Sequence, residues 1–274
     1  MDLKTYKIIH PVKYYKDHLD NNIRPDGREI ADLRPLAINF DSIKSADGSA
    51  IVKMGNTTVV CGIKAELAPA KPTEPEKGYL IPNIEISPLS SPKYRPGPPS
   101  EEAQVYSCSL ADAILNSGCV NLNDLCITKE KLVWALYCDL ICLDHDGCVF
   151  DASVIALVAA LHTLKLPKMK HNPDTDEREV LEDEPRVSLS LNSIPVTTSF
   201  AVICGKIIAD PTVEEETIAT STITITICNS TLSYINKSGG DPLEQEKLDE
   251  CIDNAMKREK SVQKLIQTMI KNKA

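Results

Sequence analysis

The stretch from residue 131 to residue 164 constrains the fold more than any other part of the chain. Residues 132–143 are apolar apart from Asp139, whereas a strand with one wet face would alternate apolar and polar residues. We therefore expect a strand buried on both faces. Asp146-Gly147 is a typical hairpin-turn pair. Asp151 stands at the expected N-cap of a helix over 152–164, which is apolar all round and should be buried.

Charge limits the partners that this chain can have on its own. The 274 residues suffice for one large domain or two small ones, and the net charge is −9. The sequence pI is about 5.1, whereas free-standing nucleic-acid binders are usually basic, because phosphate contacts supply most of their affinity. Contact with RNA would therefore need a local basic patch or basic neighbours in a complex. The longest apolar run, 152–161, is too short to span a bilayer, and residues 1–4 begin no signal peptide, so we expect a soluble intracellular chain without a membrane partner.

Metal and cofactor chemistry finds little support in the sequence. The ten cysteines are scattered without a CxxC pair, and many lie in apolar runs, which predicts buried, reduced thiols: Cys61, Cys138, Cys142, Cys204 and Cys228. The five histidines are dispersed, and no Walker, Rossmann or GxSxG pattern occurs. A magnesium site built from Asp139, Asp144, Asp146 and Asp151 would need special geometry, because alternation points the first two to opposite faces. We expect neither a metal nor a cofactor.

The first half of the chain is predicted to contain a short helix, then several strands and a second helix. A short amphipathic helix is expected over 11–21. Residues 36–43, 49–54 and 57–67 alternate as strands and are joined by tight-turn pairs, which predicts a three-stranded antiparallel meander. After an exposed connector over 69–78, a further strand is expected over 79–86. A proline-rich loop then leads to Ser100, the N-cap of a helix that Gly118 ends, with Cys108, Ala111, Ile114 and Leu115 on one face.

The second half repeats strands and a helix. Strands are expected over 187–191, 196–204, 206–209 and 220–228. Asp241-Pro242-Leu243-Glu244 is typical of a helix start, and an apolar stripe continues to about residue 271. The element order predicts an α+β fold with antiparallel or mixed sheets and packed helices. We expect a first half over 1–170, an acidic linker over 171–185 and a second half over 186–274.

Five segments in order resemble the RNase PH family, and they span roughly residues 20 to 260: Arg24-Pro25-Asp26-Gly27-Arg28, Ala46-Asp47-Gly48-Ser49-Ala50, Gly55-Asn56-Thr57, Pro96-Gly97-Pro98-Pro99, and Asp210-Pro211-Thr212 with Glu214-Glu215-Glu216. Within the family, the stretches 132–147 and 97–104 look most like a eukaryotic exosome ring subunit of the catalytically inactive type. The resemblance implies a fold similar to the second domain of ribosomal protein S5.

The resemblance also implies where catalysis would occur and why it is absent here. Active members degrade RNA from the 3′ end by phosphorolysis and hold phosphate with a Gly-Gly-Thr/Ser-Arg turn after an Asp at the end of the buried strand. Asp144 matches that Asp, but the Arg is missing, and Asp146 and Asp151 stand in the turn instead. Two carboxylates there should repel phosphate; forming a turn and capping a helix would also account for both residues.

The catalytic Asp of active members has no clear match either. The nearest residues, 220–222, carry no carboxylate. Asp210 could be offered as a substitute, although Asp-Pro commonly forms a turn at the end of a strand. The resemblance therefore implies no catalytic residue in this chain.

The candidate RNA-binding residues are Lys93, Tyr94 and Arg95, because two cations could follow a phosphate backbone while the aromatic ring stacks on a base. An exposed loop without function would look the same. The resemblance implies a non-catalytic structural subunit of the RNA exosome core ring, supporting 3′–5′ RNA processing and degradation in nucleus, nucleolus and cytoplasm. Its partners would be other RNase PH-like ring subunits, RNA-binding cap subunits and RNA in the channel. The alternatives are an active phosphate-dependent 3′–5′ exoribonuclease and a free-standing protein-binding module.

Overall fold

The computed structural model describes residues 3–172, 177–180, 185–240 and 242–273. The described helices are α1 (Leu3–Ile9), α2 (Pro11–Asp20), α3 (Glu101–Ser117), α4 (Val149–Thr163), α5 (Val213–Ile218) and α6 (Gln245–Lys273). The described strands are β1 (Leu36–Phe40), β2 (Gly48–Met54), β3 (Thr57–Pro69), β4 (Tyr79–Ile86), β5 (Cys126–Thr128), β6 (Leu132–Asp144), β7 (Lys165–Leu166), β8 (Met169–Asn172), β9 (Glu177–Val180), β10 (Val187–Ser188), β11 (Val196–Ile203), β12 (Lys206–Ala209), β13 (Ser221–Cys228) and β14 (Thr231–Ser238).

The first sheet has the order β1-β2-β3-β6-β4, with β5 paired to β6. The predicted meander is confirmed, since β1, β2 and β3 pair antiparallel, whereas β4 runs parallel to β6. Burial of β6 on both faces is confirmed only for residues 132–136. Beyond them Tyr137 and Ile141 are 40% and 39% exposed.

Helix α4 is the buried helix that the sequence predicts. It packs against β2 and β3 of the first sheet and against β11 of the second. Every residue from Val149 to Leu161 is buried, which explains why the segment has no polar face. The expected N-cap is wrong, because Cys148 caps the helix and Asp151 lies within its first turn.

Helix α3 begins and ends as expected. The Ser100 side chain accepts a hydrogen bond from the Ala103 N–H at 3.2 Å, and Gly118 ends the helix with φ +61°. The predicted apolar face is wrong, because Cys108 and Leu115 are exposed. α3 packs on β4, β13 and β14, and that contact buries a different set of side chains: Ala103, Leu110, Ala113 and Ile114.

The second sheet has the order β12-β11-β13-β14, with all pairs antiparallel. Phe200, Ile223 and Ile225 pack against Ala255 of α6, and Ile266 of α6 joins the core of the first sheet. The sequence did not reveal α1, α5 or β14; β14 is a largely exposed edge strand without alternation. The predicted start of α6 is also wrong, because 242–244 are not helical and residue 241 lies outside the described residues.

The predicted acidic linker, 171–185, contains part of an antiparallel strand pair, β8 with β9. Its residues 173–176 and 181–184 lie outside the described residues, and the division into halves remains a prediction. All ten cysteines are unpaired. Burial is confirmed for Cys61, Cys138, Cys142 and Cys228, but Cys204 is exposed because it lies in the tight turn between β11 and β12. None of the described helices is both long and apolar enough to cross a membrane.

Candidate functional site

The candidate site is the turn between β6 and α4, residues 144–148, where the family resemblance places the phosphate-binding turn of active enzymes. The expectation of a hairpin at Asp146-Gly147 is wrong, because this pair joins a strand to a helix. Gly147 has φ +82°, and a Cβ there would lie 2.5 Å from the carbonyl oxygen of Pro211. The turn therefore packs directly on the segment that follows β12, and only glycine fits at this contact.

Arg34 holds that turn and segment together. Its guanidinium donates to the carbonyl oxygens of Asp146 at 2.5 Å and Gly147 at 3.3 Å. It also pairs with the Asp210 carboxylate at 2.6 Å. Burial alone would raise the pKa of Asp210, but the hydrogen bonds and charge of Arg34 lower that pKa to about 2. Asp210 is thus an ionised structural anchor, which supports its interpretation as a turn residue rather than a substitute catalytic acid.

The Arg24–Arg28 motif also contacts the chain at the end of β12 and just after it. The Arg24 guanidinium donates to the carbonyl oxygen of Asp210 at 3.2 Å and to that of Ala209. It also lies 3.6 Å from the carboxylate of Glu215, and both side chains are almost fully buried. Two motifs that are far apart in the sequence therefore form one buried charged cluster, whose role is to fix the turn.

Glu216 occupies the anion position at the start of α4. Its Oε1 accepts a hydrogen bond of 2.7 Å from the Cys148 N–H, and Cys148 has the left-handed φ of +51°. A helix N-terminus attracts an anion through its free N–H groups and dipole. Burial raises the pKa of Glu216 to about 7, against the opposing effect of the Cys148 hydrogen bond. The chain thus places its own carboxyl group where a phosphate-binding turn would offer an N–H.

A cleft of about 300 Å³ opens in front of this turn. Glu102 and Glu216 line it, and Lys93 is the one permanent cation among the lining residues that the structure describes. The Lys93 ammonium lies 3.4 Å from the Glu102 carboxylate, so its charge is already partly balanced. Burial lowers the pKa of His145, which keeps this lining imidazole neutral near pH 7. Carboxyl groups therefore outnumber cations in the cleft.

The carboxylate expected to repel phosphate at Asp151 does not face the turn. Asp151 is fully buried in α4 and accepts hydrogen bonds from the Ser199 N–H at 2.8 Å and hydroxyl at 2.7 Å. It therefore joins α4 to β11 rather than capping the helix. Asp146 does lie at the turn, where its carboxylate accepts a 3.1 Å bond from the Asn56 amide. Glu216, not Asp151, is the second acidic group of the site.

Hydroxyl side chains line the wall of the cleft that β13 forms. Thr222 and Thr224 both face it, close to the position at which the family resemblance places the catalytic Asp of active enzymes. This wall therefore presents no carboxylate to act as an acid. Nowhere among the described residues do three or more His, Cys, Asp or Glu side chains come together as metal ligands would.

The 93–95 loop lies at the edge of the cleft. Lys93 and Arg95 are exposed, whereas Tyr94 is partly buried. The Tyr94 hydroxyl donates to the Glu102 carboxylate at 2.9 Å, and its ring centroid lies 5.7 Å from that of His145. Burial, and then the bond to Glu102, raises the pKa of Tyr94. Tyr94 thus anchors the loop, with Arg95 exposed to solvent and the exposed Lys93 beside the Glu102 carboxylate. RNA binding by the three residues stays a prediction.

Sequence reasoning missed the two residues that organise the site. Arg34 carries no motif, and its partners lie 112 and 176 positions away. Glu216 was visible as part of an acidic run, but only the short helix α5 turns it toward Cys148. The reciprocal bonds of Thr212 and Glu215, a capping box that the sequence does contain, were the available signal for that helix.

Comparisons with known proteins show which family this chain resembles over most of its length. Residues 32–167 match domain 1 of the 3′ exoribonuclease family, and residues 193–258 match its domain 2. The exosome complex component rrp43 of Schizosaccharomyces pombe is 40% identical over 91% of this chain and 93% of its own length. The exosome complex component Rrp42 of Pyrococcus furiosus is 36% identical over 92% and 91% of the two chains.

A solved structure has the same fold as this chain. A chain of the Archaeoglobus fulgidus exosome, with RNA bound to the active site of that assembly, superposes with a TM-score of 0.83 at 31% identity, covering 92% of this chain and 96% of that one. Both halves of the sequence and the whole architecture are therefore accounted for by one family. This chain belongs to the 3′ exoribonuclease family, also called the RNase PH family.

Proposed function

We propose that this chain is a non-catalytic structural subunit of the RNA exosome core ring, supporting 3′–5′ RNA processing and degradation. The observation that carries the proposal is the 2.7 Å bond between Glu216 and the Cys148 N–H at the start of α4. The similarity to exosome components of fission yeast and Pyrococcus supports membership in such a ring.

Electrostatics explains why this cleft should reject phosphate. A helix N-terminus offers its N–H groups to one anion, and Glu216 already accepts from Cys148. A phosphate that replaced it would approach Glu102 and Glu216, and among the described lining residues Lys93 is the one permanent cation that could offset them. At about 4 Å, two like unit charges repel by about 4 kcal/mol in a surface-like dielectric. Glu216, whose pKa is raised to about 7, contributes this repulsion in full only when it is ionised. Phosphorolysis depends on holding its attacking anion, so the geometry favours an inert subunit over an active phosphate-dependent exoribonuclease.

The family resemblance implies the proposed partners, and the charge of the chain favours them. A net charge of −9 favours pairing with more basic subunits over solitary binding of RNA. We assign the chain to a ring with other RNase PH-like subunits and RNA-binding cap subunits, through whose channel RNA passes. The exposed Lys93 and Arg95 contact the RNA backbone there, while Tyr94 holds their loop in place. The assembly acts in nucleus, nucleolus and cytoplasm.

Activity is tested on the purified full chain, alone and within its complex. Labelled RNA is incubated with and without inorganic phosphate, and release of nucleoside diphosphates is measured. We expect no phosphate-dependent release attributable to this chain. Phosphate-dependent release by the pure chain would overturn the proposal and establish the exoribonuclease.

Assembly is tested by native purification followed by mass spectrometry of the proteins that accompany the chain. We expect other RNase PH-like subunits and cap proteins in fixed stoichiometry. A monomer without such companions would instead support a free-standing protein-binding module.

The RNA contact is tested by Lys93→Ala combined with Arg95→Ala in the assembled complex. Because both side chains are exposed, the double variant should assemble normally while crosslinking of RNA to this loop falls. Lys77→Ala combined with Lys129→Ala removes two exposed lysines of a distant region and serves as the matched control. If the 93 and 95 changes abolish assembly, the loop is a subunit interface and the RNA assignment fails.

A further inference from the structure

We propose that a cavity between β11, α6 and residues 31–33 binds a small oxyanion of the phosphate type. The cavity has a volume of about 180 Å³. It is a different site from the cleft at the start of α4, and Phe200 is the one residue that lines both. The inference goes beyond the proposed structural role and does not depend on it.

The polar lining of this cavity consists of groups that can donate hydrogen bonds. They are Thr198 on β11 and four residues of α6: Asn254, Lys257, Arg258 and Ser261. No carboxylate lines the cavity within the described part of the chain. A water takes up about 30 Å³ in the liquid, so the space admits a tetrahedral oxyanion of about five heavy atoms.

Two of these donors are buried without a partner. Arg258 is only 4% exposed, and its Nη1 has no hydrogen-bond acceptor. Its Nη2 contacts the sulfur of Met54 at 2.8 Å, which is a weak acceptor for a guanidinium. Thr198 is 1% exposed, and its hydroxyl also lacks a partner. Because an arginine cannot lose its proton, a buried guanidinium with an unpartnered Nη1 and a weak sulfur acceptor on Nη2 would be stabilised by an anion.

The nearby acids do not supply that anion. Asp151 and Asp210 both lie close enough to sense the charge of Arg258. However, the Asp151 carboxylate accepts its bonds from Ser199, and Asp210 is paired with Arg34. Among the described residues, no carboxylate forms an ion pair with Arg258. Lys257, which is exposed beside it, adds a second cation at the rim of the cavity.

Isothermal titration of inorganic phosphate into the full chain, in a chloride buffer, tests the site. We expect saturable binding at one site per chain. Arg258→Met should abolish it, and Thr198→Val, which keeps shape and removes the hydroxyl, should weaken it by about tenfold, the loss expected for one hydrogen bond to a charged group. The second variant keeps the test decisive even if the first does not fold.

Lys93→Ala is the matched control, because it removes the cation of the other cleft. Phosphate binding that survives Lys93→Ala and falls with Thr198→Val supports the cavity as the site. Absence of saturable binding overturns the inference. Binding lost with Lys93→Ala but unchanged by Thr198→Val also overturns it, and that result would place phosphate in the cleft and challenge the proposed inert role as well.

Discussion

Arg34→Met should destabilise the protein strongly while leaving its shape intact. The substitution keeps the length of the side chain but removes the closer of two arginine partners of Asp210, whose side chain is fully buried; the other, Arg28, remains 3.5 Å away. It also removes the donors to the carbonyl oxygens of Asp146 and Gly147. Breaking a buried pair by removing one partner typically costs about 3–5 kcal/mol, because it leaves an uncompensated buried charge. Because Arg28 still faces the Asp210 carboxylate, we expect a loss near the lower end of that range at pH 7, measured by urea unfolding.

The pH dependence of this loss identifies its cause. The pKa of Asp210 is lowered from 3.8 to about 2 in the folded protein, which corresponds to about 2 kcal/mol of stability at neutral pH. A lowered carboxyl pKa stabilises the folded state above pH 3.8, and that contribution disappears as the pH falls toward 2. The difference in unfolding free energy between wild type and Arg34→Met should therefore shrink across this acid range.

Arg186→Met provides the matched control. Arg186 also pairs with an aspartate, Asp47 at 3.4 Å, but its side chain is 55% exposed. Exposed pairs contribute about 0–1 kcal/mol, so this variant should remain near wild type. If Arg34→Met costs no more than Arg186→Met, the Arg34–Asp210 pair does not fix the turn and the structural role assigned to it is wrong.

Three further predictions concern the core, the turn and the cleft. Leu136→Asp should cost several kcal/mol in chemical denaturation by burying an unpaired charge, whereas Tyr137→Asp, at a neighbouring exposed position, should cost much less. Gly147→Ala should lower the thermal midpoint more than Gly205→Ala; both glycines have φ near +80°, but only the first has backbone within 3 Å of the new Cβ. The pKa of Glu216 is raised from 4.5 to about 7, so wild type should lose stability as the pH rises through 7, and Glu216→Gln should flatten that decline.

The sequence was sufficient for the fold where local chemistry and burial agree. The meander was predictable because β2 and β3 alternate and are joined by Gly55-Asn56, and α4 because its segment has no polar face. Prediction failed where contacts between segments far apart in the sequence determine which residues are buried. Packing against β4, β13 and β14 determines which side chains of α3 are buried. β14 is an edge strand whose side chains are mostly exposed, so its sequence shows no alternation of apolar and polar residues.

The candidate site was likewise predictable only in part. The missing Arg and the acidic turn were visible in the sequence, since they are substitutions within a known pattern. The geometry was not, because Asp151 turns into the core to bond Ser199 and Glu216 arrives from another segment. The spacing of residues along the chain predicts neither of these contacts. Of the two carboxylates predicted for the turn, Asp146 lies there, 3.7 Å from the Arg34 guanidinium, whereas Asp151 does not.

A turn that binds phosphate must keep its N–H groups free until the ligand arrives, and unpaired N–H groups near a helix start reduce the stability of the empty protein. In this chain Glu216 satisfies the Cys148 N–H permanently, and Arg34 satisfies the carbonyl oxygens of the same turn. The contacts that would oppose phosphate binding are therefore the ones that hold β6, α4 and the segment after β12 together. In the non-catalytic ring subunit proposed above, this exchange would add rigidity, and reversing it would require both a new cation and removal of the internal carboxylate. Glu216→Gln alone should thus leave the chain inert.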